Sequence, residues 1–375
     1  MSAPDWHAVR AEFPALAGRT YLNTATYGQM PRRAAEAAAQ HFLRRDDRAC
    51  VDFLAWYDDM DRLRERLAKL VNCQAADLAF IPNAAAGLAI LMAGIQWRSG
   101  DRVVTLAGEF PNNLYIPALL QRHGAELVET EWESFEDAIV RGARLAVLST
   151  ANYTNGFRPP LEEISRLCRQ QGTLLYLDGT QSVGALTTDL SRVQPGLMAV
   201  HGYKWMLSPN GAGFLYVSPE VREWLEPNVV GWRSDSGWRQ VDYLSHGAPI
   251  FMNSAEKYEG GGLNFPSLYA MDVSVQMMLD LGPAVIERRV LELAGLVRDS
   301  LRRLGATLAA DSSPYFDSPI VAARFTGRDA SEIARALAAR GVIVSARHGN
   351  LRVSTHFYNT AEDVAQLAKG LAELL

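Results

Sequence analysis

Two charged residues, Asp178 and Lys204, each follow an apolar run that is typical of a buried strand. Asp178 comes directly after residues 174–177, and Lys204 stands twenty-six residues further on, just after residues 198–201. This spacing leaves room for one helix and one strand, so both side chains can return to the same edge of a parallel sheet, where open α/β sheets bind their ligands. An unpaired carboxylate there is costly, so we expect a cationic partner for Asp178. A structural ion pair at a sheet rim would have the same spacing.

The chemistry of pyridoxal phosphate (PLP) requires such a pair. An amine forms an imine with the cofactor, and a carboxylate keeps the pyridine nitrogen protonated so that the ring can accept electrons. A flat side chain should also lie on the ring, and N–H groups at the start of a helix should receive the phosphate. Residues 82–87 form a turn of small residues that opens a helical pattern, which suits this last role. By itself, that turn is equally typical of an ordinary strand-to-helix connection.

Further motifs extend over nearly the whole chain. They are residues 21–26, the turn at 83–87, Glu109 to Asn113, Ser149 to Gly156, Asp178 to Gln181, Tyr203-Lys204, Tyr258 to Asn264, and Leu351 to Ser354. In these motifs and in their order, the chain resembles the class V aminotransferases of PLP fold type I, which include cysteine desulfurases, kynureninase and isopenicillin N epimerase. A nucleotide-binding oxidoreductase would instead carry a G-x-G-x-x-G turn, which residues 83–87 do not supply.

The resemblance implies a role for each matching residue. Lys204 would carry the cofactor as a Schiff base, Asp178 would contact the pyridine nitrogen, and Phe110 would stack on the ring. The remaining implied contacts are Gln181 and Tyr153 to the phenolic oxygen, Ala84, Ala85, His201, Tyr203 and Gly262 to the phosphate, and Asn23 and Arg352 to the substrate. Arg352 would bind the substrate α-carboxylate through a two-pronged, charge-assisted contact.

The chain departs from the family pattern around the phosphate. Gly262 stands where the family usually has threonine, and Ala84 and Ala85 stand where a hydroxyl side chain is frequent. Phosphate binding would therefore depend on backbone N–H groups, His201 and Tyr203. The segment 260–264 resembles one that reaches the neighbouring subunit, which implies a homodimer with two shared active sites.

The sequence leaves several reactions open. The loop 345–350 before Arg352 contains no cysteine, and Cys50, Cys73 and Cys168 lie elsewhere. Because a desulfurase of this family needs a thiolate nucleophile in that loop, we expect that the chain is not a cysteine desulfurase. We expect a lyase, either kynureninase-like or performing simple C–S or C–Se elimination, or an aminotransferase.

Two alternatives remain. An amino-acid epimerase like isopenicillin N epimerase would need a second base, for which His348, Tyr27 and His246 are candidates. A catalytically silent PLP-binding protein is the alternative from another class. The aromatic loop around Trp232 and Trp238 is compatible with a substrate-selecting lid or with a dimer interface.

The elements that must position these residues alternate between short apolar runs and helical patterns, which predicts a mostly parallel sheet between helices. The predicted strands are residues 78–81, 102–106, 127–130, 145–150, 174–177, 198–201 and 213–217. Too few residues separate the last two for a crossover helix, so we expect the final strand to join antiparallel and the seven-stranded sheet to be mixed.

We predict the α/β fold of PLP fold type I with a smaller C-terminal α+β domain. The predicted divisions are an N-terminal segment of residues 1–26 that contributes to the active site and the small domain, a large PLP-binding domain of residues 27–264, and a small domain of residues 265–375.

Composition is that of an ordinary globular protein. The 375 residues are 48% apolar, and 37 Lys and Arg against 42 Asp and Glu give a net charge of −5. Because no basic run is present, we expect no nucleic-acid partner. The three scattered cysteines have no metal-ligand spacing, so we expect no metal site and reduced thiols in the cytoplasm. The N-terminal residues lack the pattern of a secretory signal, and we expect no membrane association.

Overall fold

The computed structural model describes residues 4–244, 246–309 and 314–375. Its α-helices in these ranges are α1 Trp6–Ala11, α2 Arg32–Arg48, α3 Phe53–Val71, α4 Ala84–Gly94, α5 Pro111–Ala118, α6 Phe135–Val140, α7 Leu161–Gln170, α8 Leu190–Val193, α9 Pro219–Trp224, α10 Phe265–Leu281, α11 Pro283–Arg303, α12 Ala330–Ala338 and α13 Ala361–Ala372. Its β-strands there are β1 Thr20–Tyr21, β2 Leu78–Ile81, β3 Arg102–Leu106, β4 Glu126–Thr130, β5 Leu145–Ser149, β6 Leu174–Asp178, β7 Leu197–His201, β8 Gly213–Val217, β9 Thr307–Leu308, β10 Ile320–Arg324, β11 Val342–Ile343, β12 Ser345–Arg347 and β13 Asn350–Ser354.

The main sheet has seven strands in the order β2-β8-β7-β6-β5-β3-β4. Strands β3 to β7 pair in parallel, whereas β8 is antiparallel to both β7 and β2. The inner strands β5, β6 and β8 are almost fully buried apolar runs because helices cover both faces of the sheet, whereas the edge strand β4 is partly exposed and carries polar residues. The predicted fold class and the antiparallel placement of the last strand are confirmed, with strand ends within a residue or so of those expected.

Helix α4 is apolar on nearly all sides and packs on the main sheet against strands β7 and β8. Gly87 makes this contact possible, because a Cβ at this position would lie 2.7 Å from the Cβ of Ala199 on β7. The helix can therefore approach the sheet closely. This approach brings the N-terminus of α4 to the edge where β6 and β7 end.

A second, antiparallel sheet has the order β12-β13-β10-β9 and packs with α11 and α12. Strand β12 occupies residues that we expected to belong to a loop. It forms because His348 and Gly349, with φ of 47° and 76°, make the tight turn that brings residues 345–347 back along β13. A three-residue polar strand of this kind carries no apolar run that the sequence could reveal.

The N-terminal segment joins the two parts of the structure. Strand β1 pairs in parallel with β11, and Leu22 bonds to Ile343 and Ser354 through its backbone. Helix α10 packs mainly against α2 and α3. The predicted domain boundaries at residues 26 and 264 stay predictions. No helix in the described ranges combines the length and apolar character that crossing a bilayer requires, and the cytoplasmic location stays a prediction.

Candidate active site

A cleft lies where β5, β6 and β7 end and α4 begins. Its lining residues are Ala84, Phe110, Asn112, Ser149, Tyr153, Asp178, Thr180, Gln181, His201, Tyr203 and Lys204. Eight of these were predicted as cofactor contacts from the sequence. Three further lining residues, Asn112, Ser149 and Thr180, were not assigned a role, although each lies inside a motif that the sequence analysis singled out.

Asp178, the last residue of β6, is buried at the floor of this cleft. Its Oδ1 accepts a hydrogen bond from the backbone N–H of Thr180 at 2.9 Å. Burial raises the pKa of Asp178, while hydrogen bonds from Thr180 and the charge of Lys204 oppose the shift. Asp178 and Lys204 line one cleft without forming an ion pair, and no other cation pairs with Asp178 within residues 4–244, 246–309 and 314–375. The turn at Thr180 supplies the donor instead.

Lys204 follows β7 in a turn and is 6% exposed. Its Nζ lies 5.4 Å from the ring centroid of Phe110 and 5.3 Å from that of Tyr203. Burial, together with the charges of Arg352 and Arg347, lowers the pKa of Lys204 to about 8, and Asp178 opposes this shift. Roughly a tenth of this amine is therefore unprotonated at pH 7, far more than for an ordinary lysine, and able to act as a nucleophile.

The backbone around Lys204 is held by the N-terminal segment. The N–H of Gly28 donates to the carbonyl of Tyr203 at 3.0 Å. A Cβ on Gly28 would lie 1.8 Å from the Lys204 carbonyl oxygen, so no other residue type fits without moving the backbone. The N-terminal segment thus takes part in shaping the cleft.

The start of α4 presents donors to the cleft. Asn83 caps the helix by accepting from the N–H of Ala86 at 2.9 Å. The N–H groups of Ala84 and Ala85 have no acceptor among the described residues. Ala84 lines the cleft, whereas the side chain of Ala85 does not. Free N–H groups at a helix start fit a phosphate.

His201 and Tyr203 complete this end of the cleft with neutral donors, their rings 4.3 Å apart. His201 Nε2 accepts from the N–H of Gly211 at 3.4 Å, which leaves the ring proton on Nδ1. Burial and the charge of Lys204 lower the pKa of His201 to about 4. Burial raises the pKa of Tyr203 to about 12. Both groups can therefore donate a hydrogen bond at neutral pH, and they fit the phosphate end of PLP.

Gln181 is fixed by a chain of hydrogen bonds that runs away from the cleft. Its Nε2 donates to the carbonyl of Ala25 at 3.1 Å, and its Oε1 accepts from the indole of Trp205 at 2.8 Å. The carbonyl of Trp205 bonds in turn to Nε2 of the buried His356 at 2.8 Å. One hydrogen on Gln181 Nε2 is left for the cleft, which suits a donor to the phenolic oxygen of PLP.

Glu109 is a buried carboxylate whose role was not predicted. It accepts from the N–H of Ser149 at 2.7 Å, from the Ser149 hydroxyl, and from Nδ2 of Asn113 at 3.0 Å. Burial raises the pKa of Glu109, and the bonds from Ser149 and Asn113 oppose the shift. Because the N–H of Phe110 also donates to Glu109, this network holds Phe110 at the start of α5, edge-on to Tyr153 with ring centroids 5.2 Å apart.

Arg352 lies beside the cleft and is 1% exposed. Its guanidinium donates to the carbonyl of Tyr153 at 2.6 Å, to the hydroxyl of Thr26 at 2.5 Å and to Ser345 Oγ at 3.1 Å. Burial and the charge of Arg347 lower the pKa of Arg352 to about 9. No described carboxylate forms an ion pair with Arg352, which fits the predicted contact to a substrate carboxylate. Asn23 does not bond to Arg352 directly. It accepts a hydrogen bond at 2.8 Å from the Thr26 hydroxyl, which in turn accepts from Arg352.

The remaining predicted residues lie outside the cleft lining. Gly262 is exposed on the surface of the single chain. Of the candidate second bases, His348 bonds through Nε2 to the Tyr153 hydroxyl at 3.0 Å, and Tyr27 packs edge-on against Tyr203 at 4.8 Å. His246 is exposed and does not line the cleft. Of these three candidates, His348 is the one whose side chain, among the described residues, forms a hydrogen bond to a side chain that lines the cleft.

The chain is similar to known proteins that are named for two different activities. A "Probable cysteine desulfurase" of Methanothermobacter thermautotrophicus is 24% identical over 98% of this chain and 97% of the relative. An "Isopenicillin N epimerase" of Streptomyces clavuligerus is 28% identical over 100% of this chain and 99% of the relative. The solved structure of a cysteine desulfurase from Thermococcus onnurineus superposes with a TM-score of 0.90 at 20% identity, covering 100% of this chain and 98% of that one.

These findings overturn one prediction. We expected that the chain is not a cysteine desulfurase, because the residues before Arg352 contain no cysteine. That exclusion is wrong, since relatives named as probable cysteine desulfurases match nearly the full chain and a cysteine desulfurase shares its fold. The physical reason is that a thiol in one loop only receives the sulfur, whereas binding of the amino acid and removal of its Cα proton depend on the lysine and the carboxylate, so a missing thiol in that loop does not exclude the activity.

The family is shown by the sequence model described as "Aminotransferase class-V", which matches residues 21–367. The cleft contains the groups that bind PLP in this family. They are a buried amine, a buried carboxylate, free N–H groups at a helix start and the aromatic ring of Phe110. The chain therefore belongs to the aminotransferase class V family of enzymes, and its cofactor is pyridoxal 5′-phosphate.

Proposed function

We propose that this enzyme breaks the C–S bond of a sulfur-bearing α-amino acid, with Lys204 as the amine that carries PLP. The observation that carries the proposal is the buried amine of Lys204, with its pKa lowered to about 8, in one cleft with the buried carboxylate of Asp178. Relatives named as probable cysteine desulfurases support the choice of bond.

Each side chain of the cleft has a defined task in this proposal. When bound, PLP accepts the electrons that a bond at the substrate Cα leaves behind. Asp178 holds a proton on the pyridine nitrogen, and the N–H groups of Ala84 and Ala85 bind the phosphate together with His201. These contacts hold the cofactor in one orientation.

Proton transfer is the task of Lys204. Its amine accepts the proton from the substrate Cα and can return it to carbon or to the leaving group. Phe110 cannot exchange protons, so it stacks and excludes water. Arg352 binds the α-carboxylate and orients the amino acid for proton removal. A proton leaves Cα and the C–S bond at Cβ breaks, so sulfur departs as a thiol or as a persulfide.

Product analysis tests the proposal. The purified PLP-loaded enzyme is incubated with L-cysteine, L-cystine and S-alkylcysteines, and the products are identified by mass spectrometry. We expect pyruvate, ammonia and a sulfur product in equal amounts, or alanine if an added thiol receives the sulfur. Lys204→Ala should form none of these, whereas Arg335→Gln, an exposed change on α12, should match the wild type. Absence of sulfur-containing product from every substrate would exclude C–S cleavage.

Epimerisation is a second candidate because the Tyr153 hydroxyl lines the cleft and bonds to the exposed imidazole of His348 at 3.0 Å. This pair offers a proton donor apart from Lys204, as an epimerase requires. A relative named isopenicillin N epimerase matches the full chain. Incubation in D₂O with chiral analysis distinguishes the two reactions. Deuterated D-enantiomer that forms from an L-amino acid, and that is lost in Tyr153→Phe, would establish epimerisation.

We further propose that the enzyme is a homodimer that shares its active sites through the segment 260–264. Gly262 is exposed, and the preceding Glu259 anchors the segment through buried contacts to Arg64 at 2.6 Å and Arg233 at 2.7 Å. The nearby side chains Val229 and Val230 are 54% and 50% exposed, which is typical of an interface. Light scattering on the PLP-loaded protein tests this: a monomer that retains PLP and activity would contradict it.

A further inference from the structure

Two arginines, rather than one, face the substrate side of the cleft. In the register of β12 and β13, Ser345 lies opposite Arg352 and Arg347 lies opposite Asn350. Because alternate residues of a strand share one face, Ser345, Arg347 and Arg352 project from the same side of this sheet. The other side of β13 carries Leu351, which is buried in the small apolar core. The hairpin therefore presents a polar, doubly cationic face.

The two guanidinium groups converge on one oxygen. The hydroxyl of Thr26 accepts from Arg352 Nη2 at 2.5 Å and from Arg347 Nη2 at 3.4 Å. Thr26 donates its own proton to Asn23 Oδ1, so its lone pairs are available to the arginines. Arg347 is otherwise bonded only to the carbonyl of Ala346 among the described residues. Its side chain is half-buried, whereas Arg352 is almost completely buried.

This pair of positive charges lacks compensation within the described part of the chain. Neither Arg347 nor Arg352 forms an ion pair with a described carboxylate. The two buried carboxylates of the cleft are engaged elsewhere, since Glu109 accepts from Ser149 and Asn113 and Asp178 accepts from Thr180. Two like charges held together in a partly buried site favour the binding of negative charge. Each guanidinium can form a charge-assisted contact with one carboxylate.

The phosphate of PLP does not account for both charges. Its proposed contacts are the N–H groups of α4 and the neutral side chains of His201 and Tyr203, and among the described residues neither arginine bonds to any of them. One α-carboxylate would compensate Arg352 alone. A second negative group on the substrate would compensate Arg347.

We propose that Arg347 and Arg352 together select a dicarboxylic amino acid, with the α-carboxylate on Arg352 and the distal carboxylate on Arg347. This inference rests on the proposed function, in which the same cleft binds an amino acid. Combined with C–S cleavage, it points to a cysteine whose sulfur carries a second acidic group, such as cystine or an S-carboxyalkylcysteine. The half-buried position of Arg347 suits a distal group near the mouth of the cleft.

Binding of amine-free acids tests the site without any reaction at the cofactor. Glutarate and valerate have the same number of carbons and differ by one carboxylate, and their affinities for the PLP-loaded enzyme can be measured by titration calorimetry. We expect glutarate to bind roughly 10- to 100-fold more tightly than valerate, because a hydrogen-bonded charge pair contributes about 1.5–3 kcal/mol. Arg347→Gln should remove this preference while valerate binding changes little.

Matched variants complete the experiment. Arg347→Lys should retain part of the preference, and Arg335→Gln, which removes an exposed arginine from α12, should retain all of it. Equal binding of the two acids by the wild type would overturn the proposal, as would an Arg347→Gln variant that still prefers glutarate. If glutarate binds as expected but no amino acid is converted, the arginine site stands and the proposed C–S cleavage fails.

Discussion

At the scale of single residues, the cleft depends on the opposite effects of burial on an acid and a base. Burial raises the pKa of Asp178 and lowers that of Lys204 to about 8, since it disfavours the charged form of each. The two groups do not form an ion pair that would cancel their charges. Each is therefore available for a bound molecule, the carboxylate for a ring nitrogen and the amine for a carbonyl carbon.

The charge of Asp178 should be essential even if its shape is retained. Asp178→Asn keeps an oxygen that can accept from Thr180 but cannot hold a proton on the pyridine nitrogen. We expect kcat/KM for the best substrate to fall roughly 100-fold or more while PLP remains bound. Steady-state kinetics together with the visible absorbance of the bound cofactor measure both quantities. The matched control is Asp189→Asn at the N-cap of α8, outside the cleft, where asparagine also caps a helix; a variant at Asp178 with wild-type kcat/KM would contradict this role.

At the scale of elements, the position of α4 determines where the phosphate can bind. The helix begins at Ala84 and packs on β7 through Gly87. A larger residue at position 87 would push the helix away from the sheet and displace its N-terminal N–H groups. The site therefore depends on a helix-to-sheet contact a full turn away from the donors.

Gly87→Ala should destabilise the protein, since its Cβ would lie 2.7 Å from that of Ala199. We expect the free energy of unfolding to fall by about 1–3 kcal/mol. Gly295→Ala is the matched control on α11, where no atom lies within 4 Å of the new Cβ, and it should stabilise by about 0.5–1 kcal/mol. Urea unfolding of both apo-variants tests this. Equal stability of the two would contradict the packing argument.

At the scale of the whole molecule, the site is assembled from distant parts of the sequence. The turn at Thr26 reaches Arg352, and the buried His356 reaches Gln181 through Trp205. His356 lies in the C-terminal part of the chain. Both of its ring nitrogens form hydrogen bonds, Nε2 to the carbonyl of Trp205 and Nδ1 with the N–H of Phe357. The cleft and the overall stability of the fold are therefore coupled through this residue.

Burial lowers the pKa of His356 to about 4 from an ordinary value of 6.5. Below pH 6.5 the unfolded chain binds a proton at this residue that the folded chain does not, so stability should fall as the pH decreases from 6.5 to 4. The contribution amounts to at most about 3 kcal/mol. Urea unfolding at stepped pH should give a shallower pH dependence for His356→Gln than for the wild type. The exposed control His246→Gln should keep the wild-type dependence, and an unchanged slope in His356→Gln would contradict the assignment.

Much of this architecture could be predicted because its signals are local. Most strands of the main sheet are short apolar runs with clear ends, and Asp178 and Lys204 stand at or within three residues of the ends of two of those strands. The roles of Glu109, Thr26 and Arg347 could not be predicted, because they depend on contacts with residues far away in sequence. The absence of an ion pair between Asp178 and Lys204 likewise depends on the geometry of the turn at Thr180, which spacing alone does not determine.

The most direct test of the central claim is to locate the cofactor on the chain. Reduction of the PLP-loaded protein with borohydride, followed by proteolysis and mass spectrometry, identifies the amine to which the cofactor is attached. We predict one phosphopyridoxyl group per chain, on Lys204, and none in Lys204→Ala. Attachment to a different lysine, or an unmodified Lys204 after reduction in the presence of added PLP, would contradict the account.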